Sequence, residues 1–489
     1  NANNSNYSIT YVDGTLTVAA KALTITADAQ SKTYGDTFTF DGDEFTTSTM
    51  VGSESVASVS FSVASNADAD ATVNAGNYPI TPSAAVATSG TDLNNYSITY
   101  ATQDLTVNKA TLTVTADDAS KTYGDANPSF TATYSGFKNS ETSSVLSGTP
   151  TLGTLATATS SVGDYDITPS VGSLDSSNYS FTYVNGTLTI TPKAITVTAA
   201  DKSKTYGDAN PTLTYSVTSG ALVGSDTLTG SITTAATTAS NVGDYDITQG
   251  TLTNANNSNY SITYVDGTLT VAAKALTITA DAQSKTYGDT FTFDGDEFTT
   301  STMVGSESVA SVSFSVASNA DADATVNAGN YPITPSAAVA TSGTDLNNYS
   351  ITYATQDLTV NKATLTVTAD DASKTYGDAN PSFTATYSGF KNSETSSVLS
   401  GTPTLSTLAT TTSSVGDYDI TPSVGSLDSS NYSFSYVNGT LTITPKAITV
   451  TAADKSKTYG DANPTLTYSV TSGALVGSDT LTGSITTAA

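Results

Sequence analysis

Apolar and polar residues alternate along this chain in short runs, separated by residues that favour turns. Leu23-Thr24-Ile25-Thr26, Leu112 to Thr115 and Ile195 to Thr198 each place an apolar side chain at every second position, with β-branched residues dominant. A period of two puts one face of an extended strand in a core and the other in water. The segment from Tyr179 to Ile190 carries two such runs around Asn185-Gly186, and Asp13-Gly14 and Asp266-Gly267 hold the same place in related segments. Asn-Gly and Asp-Gly supply the positive φ angles of a type I′ turn, so the pattern predicts a closing β-hairpin there. Gly163-Asp164-Tyr165-Asp166-Ile167, and the same motif from Gly243, read as a turn feeding a further strand, with tyrosine and isoleucine on opposite faces. Helical periodicity is nearly absent; the one stretch that suits a short helical turn is Lys138 to Leu146. Six or seven strands in about 80 residues predict an all-β fold, a small β-sandwich of Ig-like type. The alternative is a β-grasp-like sheet with a vestigial helix.

The pattern recurs on two scales. The sequence from Asn1 returns at Asn254, an offset of 253 residues. Across the overlap only Gly153/Ser406, Ala158/Thr411 and Thr182/Ser435 differ. Inside that period lies a shorter, more diverged repeat. Lys-Thr-Tyr-Gly-Asp occurs six times, with its tyrosine at Tyr34, Tyr123, Tyr206, Tyr287, Tyr376 and Tyr459, and Asn-Tyr-Ser closes each complete unit, as at Asn95, Asn178 and Asn259. Boundaries therefore fall before Lys21, Lys109, Lys193, Lys274, Lys362 and Lys446. This gives type A repeats at 21–108 and 274–361, type B at 109–192 and 362–445, and type C at 193–273. Residues 1–20 read as the closing strands of a truncated repeat and 446–489 as the front half of a type C repeat, so the chain reads as a window on a longer array. Complementation between those two pieces is disfavoured, because the segment matching Thr237 to Thr253 would be missing.

Junctions between units are short: only Ala19 to Ala22 separate two strand patterns, and Pro192 stiffens another crossing. Each unit should then be entered at one pole and left at the other, giving a tandem array that forms an elongated rod. Strands of this length make each unit roughly 25–35 Å long. Near-identical units are kept apart by two others, which limits misfolding between neighbours.

Composition narrows the chemistry. The chain has no His, Cys or Trp, and all 16 basic residues are lysine. Zinc sites, imidazole base catalysis, thiol nucleophiles and disulfides are thereby excluded. A net charge of −28 opposes nucleic acid and anionic lipid, whose binding needs clustered cations. No apolar run is long enough to span a bilayer as a helix, so no membrane insertion is expected in this segment.

The residues Lys121-Thr122-Tyr123-Gly124-Asp125-Ala126-Asn127-Pro128, Tyr165-Asp166-Ile167, Asn178-Tyr179-Ser180 and Asn185-Gly186-Thr187-Leu188 together resemble the MBG domain of the YGX type. The resemblance covers the whole chain. It implies tandem domains of large bacterial surface proteins, including adhesins and haemagglutinin-like exoproteins, and it brings no catalytic residues. Type A units depart from the pattern, with Thr37-Phe38-Thr39 in place of Ala-Asn-Pro and Gly76-Asn77-Tyr78-Pro79 in place of Gly-Asp-Tyr-Asp, which marks a subtype with an interface or ion site of its own.

Several segments could carry chemistry. Asn66, Asp68 and Asp70, and again Asn319, Asp321 and Asp323, place oxygen ligands at every second residue, a spacing that suits calcium. The glycine and distal glutamate of an EF-hand loop are missing, so a solvated loop is the competing reading. Asp41, Asp43 and Glu44 form a second acidic knot in the type A unit. The Tyr-Gly-Asp motif reads as a turn whose tyrosine packs its ring and leaves its hydroxyl at the rim. Lys32, Lys121 and Lys204 recur at one position and read as solvated, with a covalent bond to an Asn-Tyr-Ser asparagine as the sharper alternative. Thr-x-Thr runs recur too rarely for an ice-binding face. No single cleft is expected, so no enzyme activity and no cofactor other than calcium are expected. The functional expectation is an extracellular stalk on a bacterial cell surface, spacing an adhesive tip, with neighbouring repeats as its partners. The alternatives are a multivalent glycan- or mucin-binding array, or a fibre of several chains.

Overall fold

In the computed structural model, which describes residues 5–488, the period-two runs are strands and the remainder is turns and short 3-10 segments. The first type A repeat has seven strands: β1 (Lys21–Ala27), β2 (Gln30–Thr33), β3 (Phe45–Thr47), β4 (Val56–Val63), β5 (Gly76–Ala87), β6 (Tyr96–Ala101) and β7 (Gln103–Asn108). They form a three-stranded sheet in the order β3-β1-β6 and a four-stranded sheet in the order β2-β7-β5-β4. The type B repeat that follows contains β8 (Ala110–Ala116), β9 (Ala119–Thr122), β10 (Ala132–Ser135), β11 (Thr151–Gly153), β12 (Gly163–Ser170), β13 (Tyr179–Val184) and β14 (Gly186–Thr191). Its sheets, β10-β8-β13 and β11-β12-β14-β9, repeat the same plan. Repeats 274–361 and 362–445 reproduce both arrangements. The units are therefore small all-β, sandwich-like domains.

One topological feature recurs in every complete repeat. The first strand lies parallel to the sixth, Lys21 beside Tyr96 in the type A unit and Ala110 beside Tyr179 in type B. The second lies parallel to the seventh, with Thr33 beside Asn108 and Thr122 beside Thr191. Each strand pair switches from one sheet to the other at a short break, after Ala27 and after Ala101 in the type A unit. The chain thus enters a repeat at one pole and leaves it at the opposite pole.

The switch corrects the predicted hairpin. β13 and β14 flank Asn185 but belong to different sheets, and Gly186 is not in the positive-φ region. Glycine is required there by space: a Cβ would sit 2.5 Å from the carbonyl oxygen of Ala116. At Gly267 the crowding is against Ala199. Two further expectations change. Gly163 begins β12 instead of a turn, and Tyr165 and Ile167 share its inward face, being two residues apart. The short turn expected within Lys138 to Leu146 is present as one 3-10 turn, Ser143–Val145, and further 3-10 turns occur at other places in the repeats, at Ala64–Asn66, Leu93–Asn95 and Asn254–Asn256. Residues 5–20 lie exposed outside any strand, although the same sequence forms Tyr260–Val265 where Lys193–Ala199 is available as a parallel partner.

The alternating runs supply the core. Leu112, Val114, Ile167, Leu188 and Ile190 are fully buried in the type B unit, as are Leu23, Ile25, Ile80 and Leu105 in type A. Each such side chain contributes about 1.5–3 kcal/mol relative to exposure. The chain forms two compact units. One comprises residues 1–201, 213–234 and 246–268; the other comprises 202–212, 235–245 and 269–489. The first contains the complete repeats 21–108 and 109–192, and the second contains 274–361 and 362–445.

Candidate functional site: the joints between repeats

Among the described residues no sheet combines strands of two repeats, but the core is shared. One cluster joins Tyr34 and Val107 of the first type A repeat to Ala110, Leu112 and Tyr179 of the type B repeat that follows. Another joins Tyr206 and Val271 to Leu276, Ile278, Val312 and Tyr349. The two sequence signatures meet at these joints.

The Tyr-Gly-Asp turn is present, with Asp36 N donating to Thr33 O at 3.0 Å, but its tyrosine hydroxyl does not stay at the rim. Tyr34 is buried, and its hydroxyl donates to Glu141 Oε1 of the next repeat at 2.7 Å. The other oxygen of Glu141 accepts from Tyr179, the tyrosine of Asn-Tyr-Ser, at 2.5 Å. Tyr179 Oη in turn accepts from Lys138 N at 2.8 Å. The two rings stand edge to face with centroids 5.6 Å apart. The arrangement recurs around Tyr287, Glu394 and Tyr432. It recurs around Tyr206, Glu307 and Tyr349 as well. At the type B to type C joint a single oxygen, Asp226 Oδ2, accepts from both Tyr123 at 2.8 Å and Tyr260 at 2.6 Å. Tyr376 makes the same bond to Asp479 Oδ2 at 2.7 Å.

Burial, with the hydrogen bond to the carboxylate next in importance, pushes Tyr179, Tyr260, Tyr349 and Tyr432 up to about 12. A second ionised oxygen beside the carboxylate would cost Coulomb energy in a poorly solvated place, so the phenols stay protonated.

The asparagine of Asn-Tyr-Ser completes the joint. Asn178 Oδ1 accepts from Ala75 N of the preceding repeat at 3.0 Å, and its Nδ2 donates to Asn74 Oδ1 at 2.9 Å. Asn259, Asn348 and Asn431 cap Val162 N, Val242 N and Ala328 N in the same way. The motif glycine has two duties. Gly35 and Gly124 have φ near +92° and +90°, and a Cβ on either would stand 2.5 Å from the Lys138 or Val223 side chain of the next repeat. Only glycine allows both the turn and that approach.

Sequence reading missed the acceptor. Val51-Gly52-Ser53-Glu54 has counterparts beginning at Lys138, Val223, Val304, Lys391 and Val476, always ending in Glu or Asp. This four-residue signature is visible as a repeat. The functional signal in it is an acidic side chain at one fixed place in each unit.

The recurrent lysines are not solvated, which corrects that expectation. Lys32, Lys121, Lys204, Lys285 and Lys374 are each only 7–8 % exposed. Lys121 Nζ donates to Asp125 O at 3.0 Å and to Thr157 O at 2.6 Å. Lys204 repeats this with Asp208 O and Thr237 O. Main-chain carbonyls therefore take the place of water around the ammonium. In the type A unit Lys32 Nζ donates to Asp70 O at 2.8 Å. Burial pulls the Lys32 and Lys285 ammonium groups down, while Asp70 and Asp68, or Asp323 and Asp321, oppose that. The Asn-Ala-Asp-Ala-Asp segment thus lies around a lysine of its own chain.

The remaining ligand candidates are placed as follows. Asp70 Oδ1 accepts from Thr72 N and Thr72 Oγ1, bonds that hold its carboxyl low, and Asp323 does the same with Thr325. Asn66 and Asn319 adopt positive φ at the turn. Among the described residues no group of three or more Asp or Glu side chains gathers as a metal cage. In the acidic knot Glu44 accepts from Asp41 N at 2.7 Å and Gly42 N at 2.9 Å, and Asp41 is exposed. Burial alone would raise Glu44; the surrounding backbone amides outweigh it and hold the carboxyl low. Phe38 and Phe40, specific to type A, pack edge to face, and Phe40 stacks on Phe61 at 4.6 Å over that unit's core.

No curated protein matches the chain. Among solved structures it is similar to the crystal structure of Drosophila N-cadherin EC1-4, with 8 % identity, 68 % of this chain and 100 % of that one covered, and a TM-score of 0.16. It is also similar to the N-terminal four Ig domains of Dscam1 isoform 8.4, with 10 % identity, 70 % and 99 % covered, and a TM-score of 0.14. The model of the MBG domain (YGX type) matches residues 23–106, 112–189, 195–270, 276–359, 365–442 and 448–489. With six tandem matches that take in nearly all of its length, this chain belongs to the MBG domain (YGX type) family.

Proposed function

We propose that the array is a tension-bearing stalk segment of a bacterial cell-surface adhesin, spacing an adhesive tip from the cell. The observation that carries this reading is the parallel pairing of first with sixth and second with seventh strands in each complete repeat. Tension enters a repeat at the start of β1 and leaves at the end of β7. It pulls the two parallel neighbours in opposite directions along their length. All hydrogen bonds between them must then be sheared together, whereas an antiparallel hairpin pulled from its open end unzips one bond at a time. Parallel ladders space these bonds evenly, so load is shared along the whole pair.

The joints support the same reading, because each repeat contributes core and hydrogen-bond partners to the next. The charge of −28 suits a solvated, mutually repelling array on an extracellular surface. A multivalent glycan-binding array is less well served. At the joints Tyr34, Tyr123, Tyr206 and Tyr287 and their partners Tyr179, Tyr260, Tyr349 and Tyr432, which could have offered stacking faces, are buried, whereas Tyr7 and Tyr459 are exposed. Membership of a structural repeat family favours a role without catalysis.

Single-molecule force extension of the chain tests the proposal. The stalk reading expects a sawtooth in which each peak releases one repeat of 81–88 residues, a contour gain on the order of 25 nm at about 3.4 Å per residue. Extension without discrete peaks would overturn it.

A further inference from the structure

The joints are not equal. At the type A to type B joint the acceptor turn begins with Lys138-Asn139, whereas Val223-Gly224 and Val304-Gly305 stand there at the other two. Lys138 Nζ pairs with Asp36 Oδ1 of the preceding repeat at 3.3 Å, and Asn139 Nδ2 donates to Ala71 O at 3.2 Å. The later copy repeats both, with Lys391 to Asp289 Oδ1 at 3.2 Å and Asn392 to Ala324 O at 3.0 Å. These are the ion pairs found among the described residues, and they fall at type A to type B joints alone. Asn139, with φ +52°, holds the left-handed conformation that Gly224 and Gly305 hold with φ near +57°. The two kinds of turn share a left-handed second residue, the A–B turns add a second one at Ser140 and Ser393, and the two kinds differ in what they reach across the joint.

We infer that the array is built of stiff A–B pairs that bend preferentially at the joints on either side of the type C repeat. The three kinds of joint share the tyrosine–carboxylate lock and the asparagine cap. The A–B joint adds two lateral bonds on a turn that sits off the single connecting residue, Lys109, whereas the B–C joint has only the fixed φ of Pro192 at the connecting residue itself, and bonds placed away from a hinge resist its bending most. Compliance then has a period of 253 residues, which accounts for two turn chemistries persisting in an array that otherwise repeats one lock. The inference rests on the joints and not on the stalk reading, so failure of the force experiment would leave it standing.

The chain has no cysteine, so label pairs can be introduced cleanly. Thr46, Thr133 and Ser216 are exposed and occupy equivalent strand positions opposite Thr26, Thr115 and Thr198. Spin labels at Thr46→Cys with Thr133→Cys report the A–B joint; Thr133→Cys with Ser216→Cys report the B–C joint. Electron–electron distance measurements on the full chain should give a narrower distribution for the first pair. Lys138→Val with Asn139→Gly should broaden it to the width of the second, and Val223→Lys with Gly224→Asn should narrow the second. High salt, which screens the exposed ion pair, should broaden only the first. Equal widths in the unaltered chain, or widths unmoved by the exchanges, would overturn the inference. Circular dichroism of each variant confirms that its strands are intact.

Discussion

The hydroxyl of Tyr34 reaches out of its own repeat and donates to Glu141 of the next at 2.7 Å. Tyr179, a residue of the second repeat's own closing signature, donates to the other oxygen of that carboxylate. Hydrogen bonds to a charged group contribute about 1.5–3 kcal/mol each, and an edge-to-face aromatic pair adds about 0.5–1.5 kcal/mol. The joint is therefore a substantial part of the stability of two adjacent repeats, and it should respond to pH and to single substitutions.

Alkaline titration should single out the joints. The phenols of Tyr179, Tyr260, Tyr349 and Tyr432 are pushed up to about 12 from an ordinary value of 10. A raised folded-state value favours the protonated form, so its stabilisation is complete below pH 10 and is lost as pH rises through about 12. Ultraviolet difference absorbance of tyrosinate should show a last-titrating group of tyrosines, with melting temperature falling over the same interval. Titration of every tyrosine near pH 10 with no change in melting temperature would contradict this.

Tyr183 and Tyr436 make a useful contrast. Their hydroxyls are buried without a protein partner, whereas Tyr179 and Tyr432 are bonded twice. Tyr183→Phe should leave thermal stability unchanged or raise it by up to about 1 kcal/mol, and Tyr179→Phe should lower it by about 1–3 kcal/mol. Equal losses in calorimetry would show that the hydroxyl network is not what separates them.

Two glycines can be told apart by cause. Gly90 has φ +93° with open space around it, so Gly90→Ala should cost only the left-handed strain, about 1–2 kcal/mol. Gly124→Ala adds a collision with Val223 at 2.5 Å and should cost more, while Gly124→Ala with Val223→Ala should recover part of the difference. Denaturant midpoints of the three variants decide the order.

Lys121→Met keeps the buried aliphatic stem but leaves Asp125 O without its side-chain donor and Thr157 O with only the Ser160 amide. The expected loss is about 1–3 kcal/mol. A stability equal to the parent would mean that the ammonium is not needed inside the sheet.

The repeat, its strands and the sandwich class were legible because alternation at period two survives in every unit, as in Leu112 to Thr115. The hairpin at Asn185-Gly186 was misread because Asn-Gly has two physical uses. Local φ preference suggests a turn, while the structure uses the missing Cβ of Gly186 against Ala116 O. The joint was half legible. Both tyrosine signatures stood out as repeats, but nothing local to Tyr34 says that its partner lies 107 residues away. Burial of Lys121 was hidden for the same reason: the carbonyl of Thr157 that receives it is 36 residues distant.

The Ala75 amide tests the joint most directly, because its hydrogen bond is made only across it, to Asn178 Oδ1 at 3.0 Å. Hydrogen exchange at this amide should be slow in the unaltered chain and should quicken by roughly 10–30-fold in Tyr34→Phe, the equivalent of losing about 1.4–2 kcal/mol from the closed joint. Exchange at the rate of an open loop in both proteins would mean that adjacent repeats are not locked together.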